Sequence, residues 1–246
     1  MNELIIMVIG LFLLSIISGM LGLGVAFAAI PFLGLFLPDL VNQVQPLSLL
    51  LNGVTALFAV FGFAKSGYVD WKKAIYLTIV ATLAAPIGAF LVQYVPQIYV
   101  WFLYFGAVFF LAYRLFKPVK HTEGQEENFK LALILAIPIS VLAGFLGVGP
   151  GFILMPTLIL VGFEPKKAAG ITAFAVIAPS FSSLIPHLAT AQWDLTLMIP
   201  LLIAGAIGSF LGARITSLYM PSGRIKQMFA VMILVVTFYK IFTLIA

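Results

Sequence analysis

The 246-residue chain contains no cysteine, which excludes disulfides, thiolate metal sites and a cysteine nucleophile. Charge is scarce as well: 9% of residues are charged against 63% hydrophobic, and the mean hydropathy is +1.19. So few polar groups cannot cover a soluble domain of this size, so the chain reads as a polytopic membrane protein whose main partner is the lipid bilayer. The eight carboxylates (Glu3, Asp39, Asp70, Glu123, Glu126, Glu127, Glu164, Asp194) all fall at the ends of apolar runs or between them. A pump or cation carrier built on buried carboxylates is thereby disfavoured. With two histidines and no two-histidine metal spacing, no metal and no cofactor is expected, and an intramembrane enzyme is the weaker class. The net charge of +5 would suggest nucleic acid in a soluble chain. Here the basic residues cluster at the ends of apolar runs, where membrane topology accounts for them, and no nucleic-acid partner is expected. The first residues, MNELIIMVIGLFLLSIISG, have no basic leader and no small-residue cleavage pattern, so they read as a retained segment.

What the chain does have is a motif written twice. SGMLGLGVAFAAIP at 18–31 returns as AGFLGVGPGFILMP at 143–156, with Gly19, Gly22, Gly24 and Pro31 recurring 125 positions later as Gly144, Gly147, Gly149 and Pro156. Asp70, Gly88 and Ala89 recur 124 positions on as Asp194, Gly212 and Ala213. The chain is therefore an internal duplication: a membrane repeat over 1–116, a charge-dense linker over 117–130 and a second repeat over 131–246. Each motif stands midway along an apolar run, 4–37 and 131–163, where glycines make a continuous helix poor. Apolar spans follow at 41–64, 73–95 and 98–116, and again at 168–188, 195–213 and 225–245. A half-run of about 14 residues reaches about 21 Å as helix, short of a hydrocarbon core of about 30 Å.

The basic residues decide how the repeats face. If each broken run crosses once, the repeats are parallel and the 13 Lys and Arg split 8 to 5; if each enters and leaves on one side, the repeats are inverted and 12 of the 13 fall on one face. The positive-inside rule favours the second arrangement, with both termini outside and the linker inside. The expected fold is an all-α polytopic membrane protein of two inverted repeats, each a broken or re-entrant helical hairpin followed by three transmembrane helices.

Non-helical backbone at membrane depth must be buried in protein or line a cavity. The half-helices after the breaks should begin near Val25 and Pro150, and their free N–H groups and positive dipole ends suit an anion. This makes Gly22, Gly24, Gly147, Gly149, Pro150 and Gly151 candidate substrate-binding residues. Close helix packing is the competing account of such small residues.

At this point the chain resembles a known family. GVGPGFILMPTLILVGFEPKKAAGITAFAVI, 147–177, is similar to the glycine-rich signature of the TauE/SafE sulfite-exporter-like family, also called the toluene sulfonate uptake permease family. That signature reads approximately G-x-G-G-G-(apolar)-P, a short loop, then A-x-x-T-S. The resemblance covers essentially the whole chain, including the duplicated layout and a G-x-V-D-W motif seen here as Gly67, Val69, Asp70 and Trp71. Pro150 stands where a glycine is usual, Val25 and Ala26 follow Gly24, and Ala173 follows Thr172 where the family usually has serine. The resemblance implies a small oxyanion substrate, since similar members are associated with sulfite, organosulfonates and thiosulfate.

Few polar side chains are available to complete such a site. Thr172 pairs with Ser48 across the 124-residue offset, so both could face one cavity, and Asn52 lies one turn beyond Ser48 on the same face. Ser182 and Ser183 are weaker candidates. His187 could take up a proton coupled to transport. The leading expectation is a secondary transporter of a small sulfur-containing oxyanion in the cytoplasmic membrane, working by alternating access. An anion channel sharing the midplane site is the alternative.

Overall fold

The computed structural model describes residues 2–116 and 127–221, with 231, 234, 235, 238, 241 and 242 of the C-terminal stretch. Most of the expected linker, and the expected last span apart from those six positions, lie outside the described residues. Among the described residues every regular element is a helix. In order they are α1 (Asn2–Leu21), α2 (Ala26–Leu33), α3 (Gln45–Ala64), α4 (Trp71–Leu91), α5 (Gln97–Phe116), α6 (Phe129–Leu146), α7 (Gly151–Leu160), α8 (Pro165–Ala175), α9 (Ile177–Leu184) and α10 (Leu195–Tyr219). A π-helical turn, Leu40–Val44, leads into α3, and a 3-10 turn, Ile185–His187, ends the stretch begun by α8.

The scarce carboxylates and amides work at helix starts. Asp70 accepts from the backbone N–H of Lys73, Asp194 from Thr196 and Leu197, Asp39 from Val41 and Asn42, and Asn128 from Leu131. Such caps satisfy N–H groups that a helix leaves free and place negative charge at its positive end. The helices between them are apolar enough that, among the described residues, six stretches are long enough to cross a membrane: Glu3–Leu21, Leu40–Ala64, Trp71–Tyr94, Phe129–Leu146, Pro165–His187 and Leu195–Tyr219.

Both broken runs fold back on themselves. A β-carbon on Gly10 of α1 would stand 2.3 Å from the Phe32 ring of α2, and Asn128, ahead of α6, donates through its N–H to the carbonyl of Val161, after α7, at 2.9 Å. The legs are unequal, which corrects the expectation of two halves of about 14 residues. α1 has 20 residues and α6 has 18, whereas α2 has 8 and α7 has 10. The first legs can cross the hydrocarbon and only the returning legs are short.

The expected single span over 168–188 is two helices. Pro179 has no N–H to offer the carbonyl of Ala175, so the ladder is interrupted and α8 hands over to α9 at Val176. The span expected at 195–213 continues to Tyr219.

α1 packs on α10, and α6 packs on α4. α1 runs beside α10 in the same sense, with Gly19 against Ser209, Gly212 against Ile16, and Thr216 Oγ1 donating to the Met20 carbonyl at 2.8 Å. α6 runs beside α4 in the same sense, with Tyr76 against Phe129, Gly144 against Ala85 and Gly88 against Val141. α10 also lies parallel to α3, where Ser209 Oγ donates to the Thr55 carbonyl at 2.7 Å, and α4 to α9, where Ser182 Oγ donates to the Thr82 carbonyl at 3.0 Å. The glycines here allow backbones to approach as close as membrane helices do without a hydrophobic driving force between them.

At one end of the molecule, the starts of α4, α6 and α8 are tied by a ring of four charges. Lys73 Nζ meets Glu127 and Lys167 Nζ reaches Glu127 at 2.8 Å, while both lysines lie 3.5 Å from Asp70. Partial burial pushes both carboxyls up, but hydrogen bonds and charge from Lys73 and Lys167 outweigh it and hold both below their ordinary values. A lowered folded-state pKa means that the ring's contribution is complete above the ordinary carboxylate range and is lost as pH falls through the folded value. Thermal melts should therefore fall on acidification below about pH 5. Glu127→Gln should melt lower at neutral pH and show a shallower acid slope; an unchanged slope would mean that the ring does not contribute.

Candidate functional site

The two hairpin tips share a backbone conformation. Gly22 and Gly24 have φ of 64° and 70°, and Gly147 and Gly149 have 71° and 68°. Side chains rarely adopt this left-handed region, so alternate glycines are what reverse the chain at each tip. The tips meet. Phe27 and Phe152, 125 residues apart, stack at 5.6 Å and 11°, and a β-carbon on Gly151 would lie 2.6 Å from the Leu23 carbonyl oxygen of the opposite tip.

Between the tips stands Asn52. On α3, Gln45, Ser48, Asn52 and Thr55 recur at three- and four-residue steps, which puts them on one face, and all four are fully buried. Asn52 Oδ1 accepts from the Ala26 N–H at 3.0 Å, and Nδ2 donates to Ser180 Oγ at 2.8 Å. Because a backbone N–H can only donate, the Ala26 contact fixes which amide atom is the oxygen. Thr55 Oγ1 accepts from the Val25 N–H at 3.1 Å and donates back to the Leu51 carbonyl at 2.8 Å. A β-carbon on Gly24 would stand 2.2 Å from Asn52 Oδ1, and one on Gly149 2.2 Å from Asn52 Nδ2. Both tips thus close on one amide.

The electrostatics follow from the helix directions. α2 and α7 each present an N-terminus to this junction, and among the described residues the buried polar groups include no Asp, Glu, Lys or Arg. The field there is set by backbone N–H groups and helix ends, which favour negative charge. The two ends differ: Thr55 and Asn52 satisfy the first N–H groups of α2, whereas among the described residues no side chain accepts from Gly151 or Phe152 at the start of α7.

The other candidates fall around this junction. Gly22 packs on the Ala169 carbonyl and Gly147 on the Gln45 side chain. Pro150 is the N-cap of α7 and Gly151 its first residue. Ser48 and Thr172 are fully buried, each with a hydroxyl that has no partner among the described residues. They do not come together. α3 and α8–α9 are antiparallel, with the Val41 backbone facing His187, Asn52 bonded to Ser180, and Tyr68 against Gly170. Ser48 and Thr172 therefore flank Asn52 on opposite sides, about 18 Å apart along the axis at about 1.5 Å per residue. His187 is buried at the far end of the seam from the charge ring, and Ser182 joins α9 to α4.

Three residues of the junction were not among the sequence candidates: Thr55, Ser180 and Gln45. The signal for them is present. Gln45 and Thr55 continue the spacing of Ser48 and Asn52, and Ser180 is Thr55 moved by the repeat offset of 125.

Comparison with known proteins agrees with a transport role. The profile of the family described as "Sulfite exporter TauE/SafE" matches residues 6–239. The chain is 25% identical over 230 residues to "Probable membrane transporter protein YdhB" of Bacillus subtilis (strain 168), covering 90% of this chain and 94% of that protein. It is 23% identical over 186 residues to "Probable membrane transporter protein MJ0441" of Methanocaldococcus jannaschii, covering 72% and 69%. A "Probable membrane transporter protein" of Xylella fastidiosa (strain Temecula1 / ATCC 700964) is 27% identical over 239 residues, covering 91% and 89%. No solved structure matches.

Proposed function

The chain belongs to the sulfite exporter TauE/SafE family of membrane transporters, and we propose that it carries a small sulfur-containing oxyanion, sulfite or an organosulfonate, by alternating access. The observation that carries this reading is the convergence of two half-helix N-termini on a buried, uncharged amide. In the conformation described, Asn52 Oδ1 occupies the position of an acceptor at the start of α2. An oxyanion would take N–H groups at the start of α7, where charge-assisted hydrogen bonds hold several acceptor oxygens, and Ser48 and Thr172 would receive it on either side. Packing of Gly24 and Gly149 against Asn52 suits an occluded carrier better than a standing pore.

Inverted repeats, 1–116 and 131–246 joined by a linker over 117–130, belong to the same proposal. α1 shares its sense with α10 and α3, α6 shares its sense with α4 and α9, and α3 is antiparallel to α9. On that reckoning α1 and its counterpart α6 oppose each other. The basic residues support the orientation. Lys73, Lys167, Lys166 and Arg214 are joined to Glu127, Tyr68 and Ser66 at one end, which would face the cytoplasm and leave both termini outside.

Thermal stabilisation of purified protein tests the substrate class. A ligand that binds only the folded state stabilises it by about 2.7 kcal/mol at a hundredfold excess over its Kd. Sulfite and small sulfonates should raise the melting temperature, and simple cations should not. Stabilisation by a cation with none by any oxyanion would end this reading.

A further inference from the structure

The seam between α3 and α9 is closed by the Asn52–Ser180 hydrogen bond, and farther along it the Val41 backbone lies beside His187. Helical spacing places Gln45 and Ser48 between these points on α3, and Ser183 between them on α9. Gln45, Ser48, Ser183 and His187 are all fully buried, and Gln45 Oε1, Ser48 Oγ, Ser183 Oγ and both nitrogens of His187 lack a hydrogen-bond partner among the described residues. Buried polar atoms ordinarily have partners. Hydroxyls in apolar helices usually bond back to a carbonyl one turn earlier, and Thr55, Thr78, Thr82, Thr157 and Ser180 do so here. Ser48 and Ser183 do not.

Beyond the seam, on the side away from the charge ring, Gln43 and Leu47 line a cavity of about 130 Å³ with Gln192 and Asp194. The titratable groups on this side are Asp39, which caps Val41 and Asn42; Asp194, which caps α10; Glu3 at the start of α1; and the exposed Tyr94 and Tyr99 at the end of α4 and the start of α5. Of the elements packed around His187, α4 carries Lys72 and Lys73, which stand at its opposite end beside the charge ring. The unpartnered set comprises two hydroxyls and one imidazole N–H as donors, with the Gln45 oxygen and the second imidazole nitrogen as acceptors. Its complement is a molecule with acceptor oxygens and an O–H of its own; a fully ionised dianion has nothing to give Gln45 Oε1.

We propose that Gln45, Ser48, Ser183 and His187 form a relay site for a proton-bearing, monoanionic oxyanion of the hydrogensulfite type, between this vestibule and the hairpin tips. The proposal rests on the reading of the chain as an oxyanion carrier. The test uses labelled sulfite in proteoliposomes and thermal melts of the same proteins. Wild-type uptake should fall as rising pH removes the hydrogen-bearing form, whereas uptake of an organosulfonate should not. Ser183→Ala and His187→Gln should each lower sulfite uptake roughly tenfold, the loss expected when a hydrogen bond to a charged ligand disappears, while sulfite still raises their melting temperature. Ser183→Ala, having lost an unsatisfied polar group, should melt no lower than wild type. Uptake within twofold of wild type in both variants overturns the relay, as does a loss matched by the amount of unfolded protein. If sulfite neither stabilises nor crosses with the wild type, the carrier reading falls and the relay with it.

Discussion

Asn52→Asp should leave the protein folded and stop anion transport. The carboxylate keeps an oxygen where Asn52 Oδ1 accepts from the Ala26 N–H at 3.0 Å, and a negative charge at a helix N-terminus is favourable by about 0.3–1 kcal/mol. Ser180 loses the hydrogen bond it accepts from Nδ2 but keeps the one it donates to the Val176 carbonyl at 2.7 Å. An oxyanion brought within about 4 Å of that charge meets a repulsion of about 4 kcal/mol at an effective dielectric constant of about 20, so uptake should fall at least about 100-fold. Asn52→Leu separates the two roles of the residue. It leaves the Ala26 N–H without an acceptor and forces a branched side chain between Gly24 and Gly149. Each orphaned buried group costs about 1–3 kcal/mol and overpacking about 1–3 kcal/mol, so this variant should lose its native fold. Melting curves and sulfite uptake measured on both proteins give the comparison. Transport by Asn52→Asp within tenfold of wild type would mean that no anion passes this amide.

The second large effect is expected at the tip glycines. In Gly24→Ala and Gly149→Ala the new β-carbon would stand 2.2 Å from the Asn52 amide, with φ held at 70° and 68°. The left-handed conformation alone costs about 1–2 kcal/mol, and displacing Asn52 adds about 1–3 kcal/mol. Gly67 provides the control: its φ is 73°, yet nothing lies within 4 Å of its β position. Gly67→Ala should therefore show the backbone cost alone. Melting temperatures should fall clearly further for the two tip variants than for Gly67→Ala. Equal losses in all three would show that the tips do not press on Asn52.

The duplicated glycines mark where the chain must break, because both apolar runs lose helical propensity at the same place in the repeat. The short helices do start where the motif suggests, at Ala26 and Gly151. The lengths of the legs were less legible. The turns do come at the motif, midway along each run, but the first legs begin ahead of the runs, at Asn2 and Phe129, and the returning legs stop short of their ends, at Leu33 and Leu160. The α8–α9 interruption could have been read from Pro179, but proline is no reliable guide here, since Pro86, Pro138 and Pro200 sit inside unbroken helices. Asn52 shows what one sequence cannot display. Its partners Ala26 and Ser180 are 26 and 128 residues away, and only the fold reveals that both tips reach the same side chain. Ser48 and Thr172, paired by offset, end up on opposite sides of it because repeat partners in antiparallel helices diverge from the centre.

The two stacked phenylalanines, Phe27 and Phe152, lie 125 residues apart, the offset at which the tip glycines recur, but Asn52 has no such twin: the residue at that offset is Ile177. A point of near-symmetry between two tips has room for one amide. Two copies of a single unit associating as a homodimer would have to bring either two asparagines or none. On the proposed duplication, joining the two halves in one polypeptide lets the centre depart from their symmetry, and each half can then acquire substitutions that the other could not tolerate.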